Sequence, residues 1–122
     1  MEQTESITQL VNEVFGDGNH TFAERLEKIR DDMETARNSS SHYRMIRHLN
    51  NSEVLIIAEI KEAKQSAPID PALVKRLEEI HHNIVKARTV ESRSTMNQYL
   101  KTAESLIDDE MKKTENESVD RN

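Results

Sequence analysis

Residues 78–82 read Glu-Glu-Ile-His-His, two carboxylates followed at once by two imidazoles. Glu78 with His81, and Glu79 with His82, have the Glu-x-x-His spacing by which helical bundles hold carboxylate-bridged metal pairs. That chemistry requires a second Glu-x-x-His on another helix and further glutamates facing inward. Here the two copies overlap on one helix, and no second copy occurs in the chain. The apolar stripe of the same stretch is Leu73, Leu77, Ile80 and Ile84. His81 then lies about 100° from Ile80 and His82 about 200° from it, so His82 faces outward and His81 sits on the flank. No two histidines stand four apart, the spacing a helical zinc pair prefers. A carboxylate and histidine metal bundle is the weakest of the readings, and no metal ligand is expected.

Other chemistries fail on residue type. His42 and His48 are six apart, closer to opposite helix faces than to one. No Gly-x-Ser-x-Gly turn offers a nucleophile. The two glycines both fall in Gly16-Asp17-Gly18-Asn19, too few for a phosphate cradle. The same loop lacks the alternating acids and closing glutamate of a calcium site. With no cysteine, thiol catalysis, disulfides and thiolate metal sites are excluded. No catalytic or cofactor-binding residue, no cofactor and no small-molecule substrate is expected, and the chain reads as a non-enzyme.

Charge is distributed unevenly. Residues 1–41 hold nine acids against four bases and residues 102–122 seven against three, while residues 42–101 hold ten bases against seven acids. The basic middle supplies the alternative reading, an oligomeric nucleic-acid-associated protein contacting phosphates through Arg44, Arg47, Lys86, Arg88 and Arg93. Interspersed acids and the scarcity of stacking aromatics weigh against it.

These residues must be positioned by helices. Only 3% of the 122 residues are aromatic, 33% are charged, and glycine and proline number two each, a balance that suits long helices with narrow apolar stripes and not strands. The spacing predicts a first helix over Thr4–Phe15, striped by Ile7, Leu10, Val11, Val14 and Phe15. Thr21 with Glu24 forms a capping box for a second helix whose seam is Phe22, Leu26, Ile29, Met33 and Ala36, in steps of four and three. Ser39–Ser41 break it. A third runs over His42–Gln65 with Tyr43, Ile46, Leu49, Ile56, Ile57, Ile60 and Ala63 on one side. Pro68 ends it, and Asp70 with Pro71 opens a fourth. Its four-three stripe ends at Ala87. A break between Ala87 and Ser94 precedes a fifth helix from near Thr95, with Gln98 as capping partner and a stripe of Met96, Tyr99, Leu100, Ala103, Leu106, Ile107 and Met111. Polar residues 113–122 read as a disordered tail after one helical domain over 1–112. No internal repeat stands out.

The expected fold is all-α: four or five helices in an antiparallel bundle with coiled-coil-like seams, self-associating because the core is thin for helices of this length. The stretch Ser52–Ile60 is apolar most of the way round, which marks Tyr43, Ile46, Val54, Leu55 and Ile57 as the partner interface. The favoured function is non-catalytic protein–protein assembly, an adaptor or regulatory accessory factor of bacterial or phage type that binds a protein partner or itself. The acidic start without an apolar run is no signal peptide, and no apolar run approaches the ~20 residues of a membrane span. A cytoplasmic protein with no membrane partner is expected.

Overall fold

A computed structural model describes residues 21–120, with side chains through residue 114. It contains α1 (Phe22–Asn38), α2 (His42–Gln65), α3 (Pro71–Thr89) and α4 (Arg93–Asp120), and no strand among the described residues. Each helix begins where a side chain replaces the partner that its first N–H groups lack. The Thr21 hydroxyl accepts from the Glu24 N–H at 3.1 Å, and the Glu24 carboxylate accepts from the Thr21 N–H at 3.1 Å, closing the capping box. Ser41 accepts from the Arg44 N–H at 3.4 Å. Asp70 accepts from the N–H groups of Ala72 and Leu73 at 3.1 and 3.2 Å, with Pro71 behind it needing no partner.

The expected break between Ala87 and Ser94 is present, and one expectation about the second half is corrected. The break falls at Val90–Ser92, and α4 starts at Arg93 instead of near Thr95. Its cap is Ser92, whose hydroxyl accepts from the Thr95 N–H at 3.4 Å, so Gln98 has no capping part. The helix also continues through the polar end to Asp120. Residues 113–120 include no glycine or proline, and glutamate and lysine propagate a helix well once it is nucleated. The helix expected over Thr4–Phe15 lies outside the described residues.

The four helices close a ring: α1 and α3 each pack against both α2 and α4, and neither diagonal pair brings Cα atoms within 8 Å of one another. Every helix turns a stripe with steps of four and three toward the centre. These are Leu26, Ile29, Met33 and Ala36 on α1, and Leu77, Ile80, Ile84 and Ala87 on α3. On α4 they are Met96, Leu100, Ala103, Ile107 and Glu110. On α2 they are Met45, Leu49, Ser52, Ile56 and Glu59, which corrects the stripe expected from apolar residues alone. Two of the five inward positions are polar, and Tyr43 and Ile57 stand off the stripe. The centre is aliphatic, methionine and alanine; each large side chain buried contributes roughly 1.5–3 kcal/mol.

The chain also repeats itself, contrary to expectation. Adding 51 to a residue number in α1 or α2 gives its counterpart in α3 or α4, without a gap. Over residues 21–65 and 72–116, fourteen of 45 aligned positions are identical, among them Arg25/Arg76, Leu26/Leu77, Ile29/Ile80, Arg37/Arg88, Met45/Met96, Glu53/Glu104 and Glu59/Glu110. The structure gives these identities a physical meaning. Glu59 on α2 takes Arg25 of α1 at 2.7 and 3.1 Å, and Glu110 on α4 takes Arg76 of α3 in the same two-pronged manner. Glu104 takes Arg37 across α4 and α1 at 3.0 and 3.2 Å, and Glu53 takes Arg88 across α2 and α3. Each interface of the ring thus carries one bidentate clasp, and the 51-residue shift maps each clasp onto another.

Breaking a clasp leaves a carboxylate with little water around it. Glu104 is 7% exposed. Arg37→Ala should therefore cost about 3 kcal/mol in denaturant unfolding, because the partner charge stays buried alone. Replacing both, Arg37→Met with Glu104→Leu, should recover most of that loss. A cost below about 1 kcal/mol for the single change would mark the pair as an ordinary surface ion pair.

Candidate interaction surface

The Glu-Glu-Ile-His-His stretch occupies the middle of α3, and its four polar side chains do not converge. His81 faces α2, with its Nε2 3.2 Å from Glu53, the carboxylate already clasped by Arg88. Glu78 lies 3.6 Å from Lys64 across the same interface. Glu79 and His82 are exposed on the outer side of α3, and Ile80 between the two pairs is fully buried. Among the described residues no group of three or more His, Asp or Glu is placed to hold a metal ion.

The candidate phosphate contacts separate into two sets. Arg44, Arg47 and Lys86 are exposed. Arg88 is half-buried and Arg93 exposed, and both already have partners within the protein. Arg88 clasps Glu53 and donates to the Asn50 amide oxygen at 3.0 Å. Arg93, at the start of α4, donates to the carbonyls of Ala36, Arg37 and Ser39 around the end of α1, where Ala36 also accepts from the Ser39 N–H. A buried carboxylate and a helix C-terminus each require a cation, and composition does not say which arginine serves them.

The candidate interface residues also separate. Leu55 is corrected: at 2% exposure it belongs to the core and is not available to a partner. Ile46 is half-buried against the core. Val54 and Ile57 are half-buried on the outer side of α2, and Tyr43 is 76% exposed, the most exposed large apolar side chain among the described residues.

The repeat supplies an internal control for this surface. α2 and α4 hold equivalent places in the ring, so their cores make the same demand. Where α2 carries Tyr43, Ile46, Val54, Ile57 and Ala58, α4 carries Ser94, Asn97, Ser105, Asp108 and Asp109. One difference has a local cause: Asp108 pairs with Arg30 of α1 at 2.7 Å, and the counterpart of Arg30 is His81. Tyr43, Val54 and Ala58 have no such partner-driven account. Five positions change in one direction, and the result is an apolar strip along the outside of α2, flanked by the exposed Arg44 and Arg47. Comparison of the fragments Glu24–Ile29 and Lys75–Ile80, ERLEKI against KRLEEI, is the sequence signal from which this control could have been found.

Electrostatics distinguish Glu53 and Glu59, the two glutamates of α2 that take both prongs of an arginine. Burial raises the Glu53 carboxyl, but hydrogen bonds from Arg88 and His81 outweigh it and hold the group below its ordinary value of 4.5. Burial wins at Glu59 and holds it above that value despite the hydrogen bond from Arg25. The signs are opposite. Glu53 contributes stability that is present above pH 4.5 and lost as pH falls through its lower folded-state value; the Glu59 shift opposes folding once pH rises past the same ordinary value. A carboxyl-carbon NMR titration should place the Glu53 midpoint below 4.5 and that of Glu59 above it; the reverse order would overturn this electrostatic account. Calorimetric titration with zinc should show no stoichiometric heat that His81→Ala removes, since His81 is held by Glu53. No family model, curated protein or solved structure matches this chain.

Proposed function

We propose that this is a non-catalytic, antiparallel four-helix bundle with coiled-coil-like seams whose work is protein–protein interaction through the outer face of α2. The clasps support the antiparallel sense. Arg25 near the start of α1 meets Glu59 toward the end of α2, and Arg76 near the start of α3 meets Glu110 on α4. The observation that carries the functional reading is the apolar strip Tyr43, Val54, Ile57 and Ala58, present on α2 and replaced by polar residues at the equivalent sites of α4. A bundle that satisfies its core without those side chains in one half does not need them for stability in the other. Exposed aliphatic surface kept without a folding benefit supports docking.

The occupant this surface fits is an amphipathic helix with an acidic flank, whose apolar stripe meets Val54, Ile57 and Ala58 and whose carboxylates meet Arg44 and Arg47. A second copy of α2 is the poorer occupant. Its one solvent-exposed carboxylate is Glu62, beside exposed Arg44, Arg47 and Lys64. The chain acts in this reading as an adaptor or accessory factor, with recognition taking the place of chemistry.

The test uses a photoreactive residue placed at position 54 or 58 of the full chain, with positions 105 and 109 of α4 as controls, in the cells that make the protein. A discrete heavier adduct is expected from the α2 sites and not from the α4 sites. It should disappear when Tyr43→Ser, Ile46→Asn and Ile57→Asp give α2 the α4 residues, with helix content kept. Equal labelling from both helices, or collapse of helix content in the exchanged variant, would refute the reading.

A further inference from the structure

We propose that His48 is a phosphoryl-acceptor site: its Nε2 takes a phosphoryl group, Asp32 orients the ring, and Arg44 holds the phosphoryl oxygens. The inference goes beyond the docking reading and does not depend on it. Its first support is a buried charge that the fold does not require. Asp32 on α1 is 2% exposed, and its Oδ1 stands 3.0 Å from Nδ1 of His48 on α2 and 3.5 Å from the Lys28 ammonium. Its Oδ2 is buried with no hydrogen-bond partner among the described residues, which costs stability. At the 51-residue shift Lys28, Asp32 and His48 become Glu79, Asn83 and Tyr99, and Asn83 donates to the Glu79 carbonyl at 2.9 Å. The second half of the bundle therefore closes without the charged pair.

The second support is the state of the imidazole. Asp32 Oδ1 accepts, so in the neutral ring Nδ1 carries the proton and the lone pair lies on Nε2. A carboxylate that fixes this tautomer, and that faces the positive charge developing on the ring, is the arrangement that makes a histidine a nucleophile or base. Nε2 has no hydrogen-bond partner among the described residues, and the side chain is 29% exposed. The other histidines of α2 and α3 lack this combination. His42 and His82 are exposed and make no hydrogen bond or ion pair among the described residues. His81 turns Nε2 itself to Glu53.

The third support is what surrounds the free nitrogen. His48 lines an open hollow of about 570 Å³ between the end of α1 and the start of α2, together with Thr35, Ser40, Ser41 and Arg44. Every lining residue is polar, and Glu34 is the one acid among them, so the hollow suits an ionic group and not an acyl chain. Hydroxyls and a guanidinium are the groups that hold phosphoryl oxygens. Arg44 is exposed and has no ion pair among the described residues. Its counterpart is Thr95, so guanidinium and imidazole are lost together in the second half.

The donor is a compound of the phosphoramidate or acyl-phosphate class. The Nε2 lone pair forms the N–P bond as the donor's P–N or P–O bond breaks, and the departing ammonia or carboxylate takes that bonding pair. The ring keeps its Nδ1 proton, and its positive charge faces Asp32.

The experiment treats the full chain with potassium phosphoramidate, maps the label by peptide mass spectrometry and identifies the isomer by phosphorus NMR. Of the five histidines, His48 should be labelled about tenfold faster than His42 or His82, and on Nε2. This comparison lies within the wild-type chain and needs no variant. Asp32→Asn installs the residue found on α3. It should slow labelling of His48 about tenfold and leave His42 and His82 unchanged, with helix content kept in circular dichroism. Arg44→Thr should slow His48 alone. Labelling of His48 no faster than that of the exposed histidines, a phosphoryl group on its Nδ1, or an unchanged rate in a folded Asp32→Asn chain would each overturn the proposal.

Discussion

Four carboxylates that could not be left unpaired organise this bundle. Glu59, Glu104 and Glu110 are almost wholly removed from water, and Glu53 is mostly so. A buried carboxylate without a partner costs several kcal/mol, far more than one methyl group of mispacking. Each is met by both prongs of one guanidinium from a neighbouring helix, a geometry that tolerates little sliding or rotation. The aliphatic centre drives the helices together without choosing among registers, since leucine, isoleucine and methionine pack in many alignments. The clasps do choose. A shift of one heptad along any interface would still cover the stripe, yet it would strand a carboxylate and an arginine.

The 51-residue repeat explains why the clasps number one per interface. Two helix pairs with the same arginine and glutamate positions make up the ring, so a clasp within the first pair recurs within the second, and a clasp between pairs occurs twice. What differs between the halves is what the clasps do not constrain. Asp32 on α1, buried with His48 at 3.0 Å and Lys28 at 3.5 Å, is Asn83 on α3, whose amide donates to the Glu79 carbonyl at 2.9 Å. The charged version draws its neighbours in; the neutral one satisfies itself within its own helix. On the surface, Glu24 and Asp31 of α1 become Lys75 and His82 of α3. Most core positions keep the same side chain because packing penalises change, whereas solvent positions can diverge at little cost in stability.

That separation between constrained and unconstrained positions gives the outer face of α2 its weight. A half-exposed valine on one helix is ordinary. Apolar residues at Tyr43, Val54 and Ala58, polar at the equivalent places of α4, are a difference for which no ion pair within the bundle accounts. The exposed Arg44 and Arg47 beside them add a positive sign to the surface.

Helix identity and most helix ends were determined by the sequence alone. Thr21 with Glu24, Ser39–Ser41, Pro68 and Asp70–Pro71 act within a turn of themselves, so no distant residue is needed to read them. The four-three stripes of α1 and α3 were legible for the same reason. Ser52 and Glu59 were not, because a polar residue on a seam looks like a break in the stripe until its partner is known, and Arg25 stands 34 positions from Glu59. The start of α4 was misplaced by two residues because Ser92 and Thr95 are both competent caps, and Arg93 is held by carbonyls of a distant helix. Arg88 and Arg93 looked available for phosphate because charge is visible in a sequence and its neutralising partner is not. Leu55 looked like interface because periodicity gives a helix's faces but not how many neighbours cover them; the ring of four helices decided that, by placing one on each side of α2, burying Leu55 and leaving Tyr43, Val54, Ile57 and Ala58 partly or fully exposed.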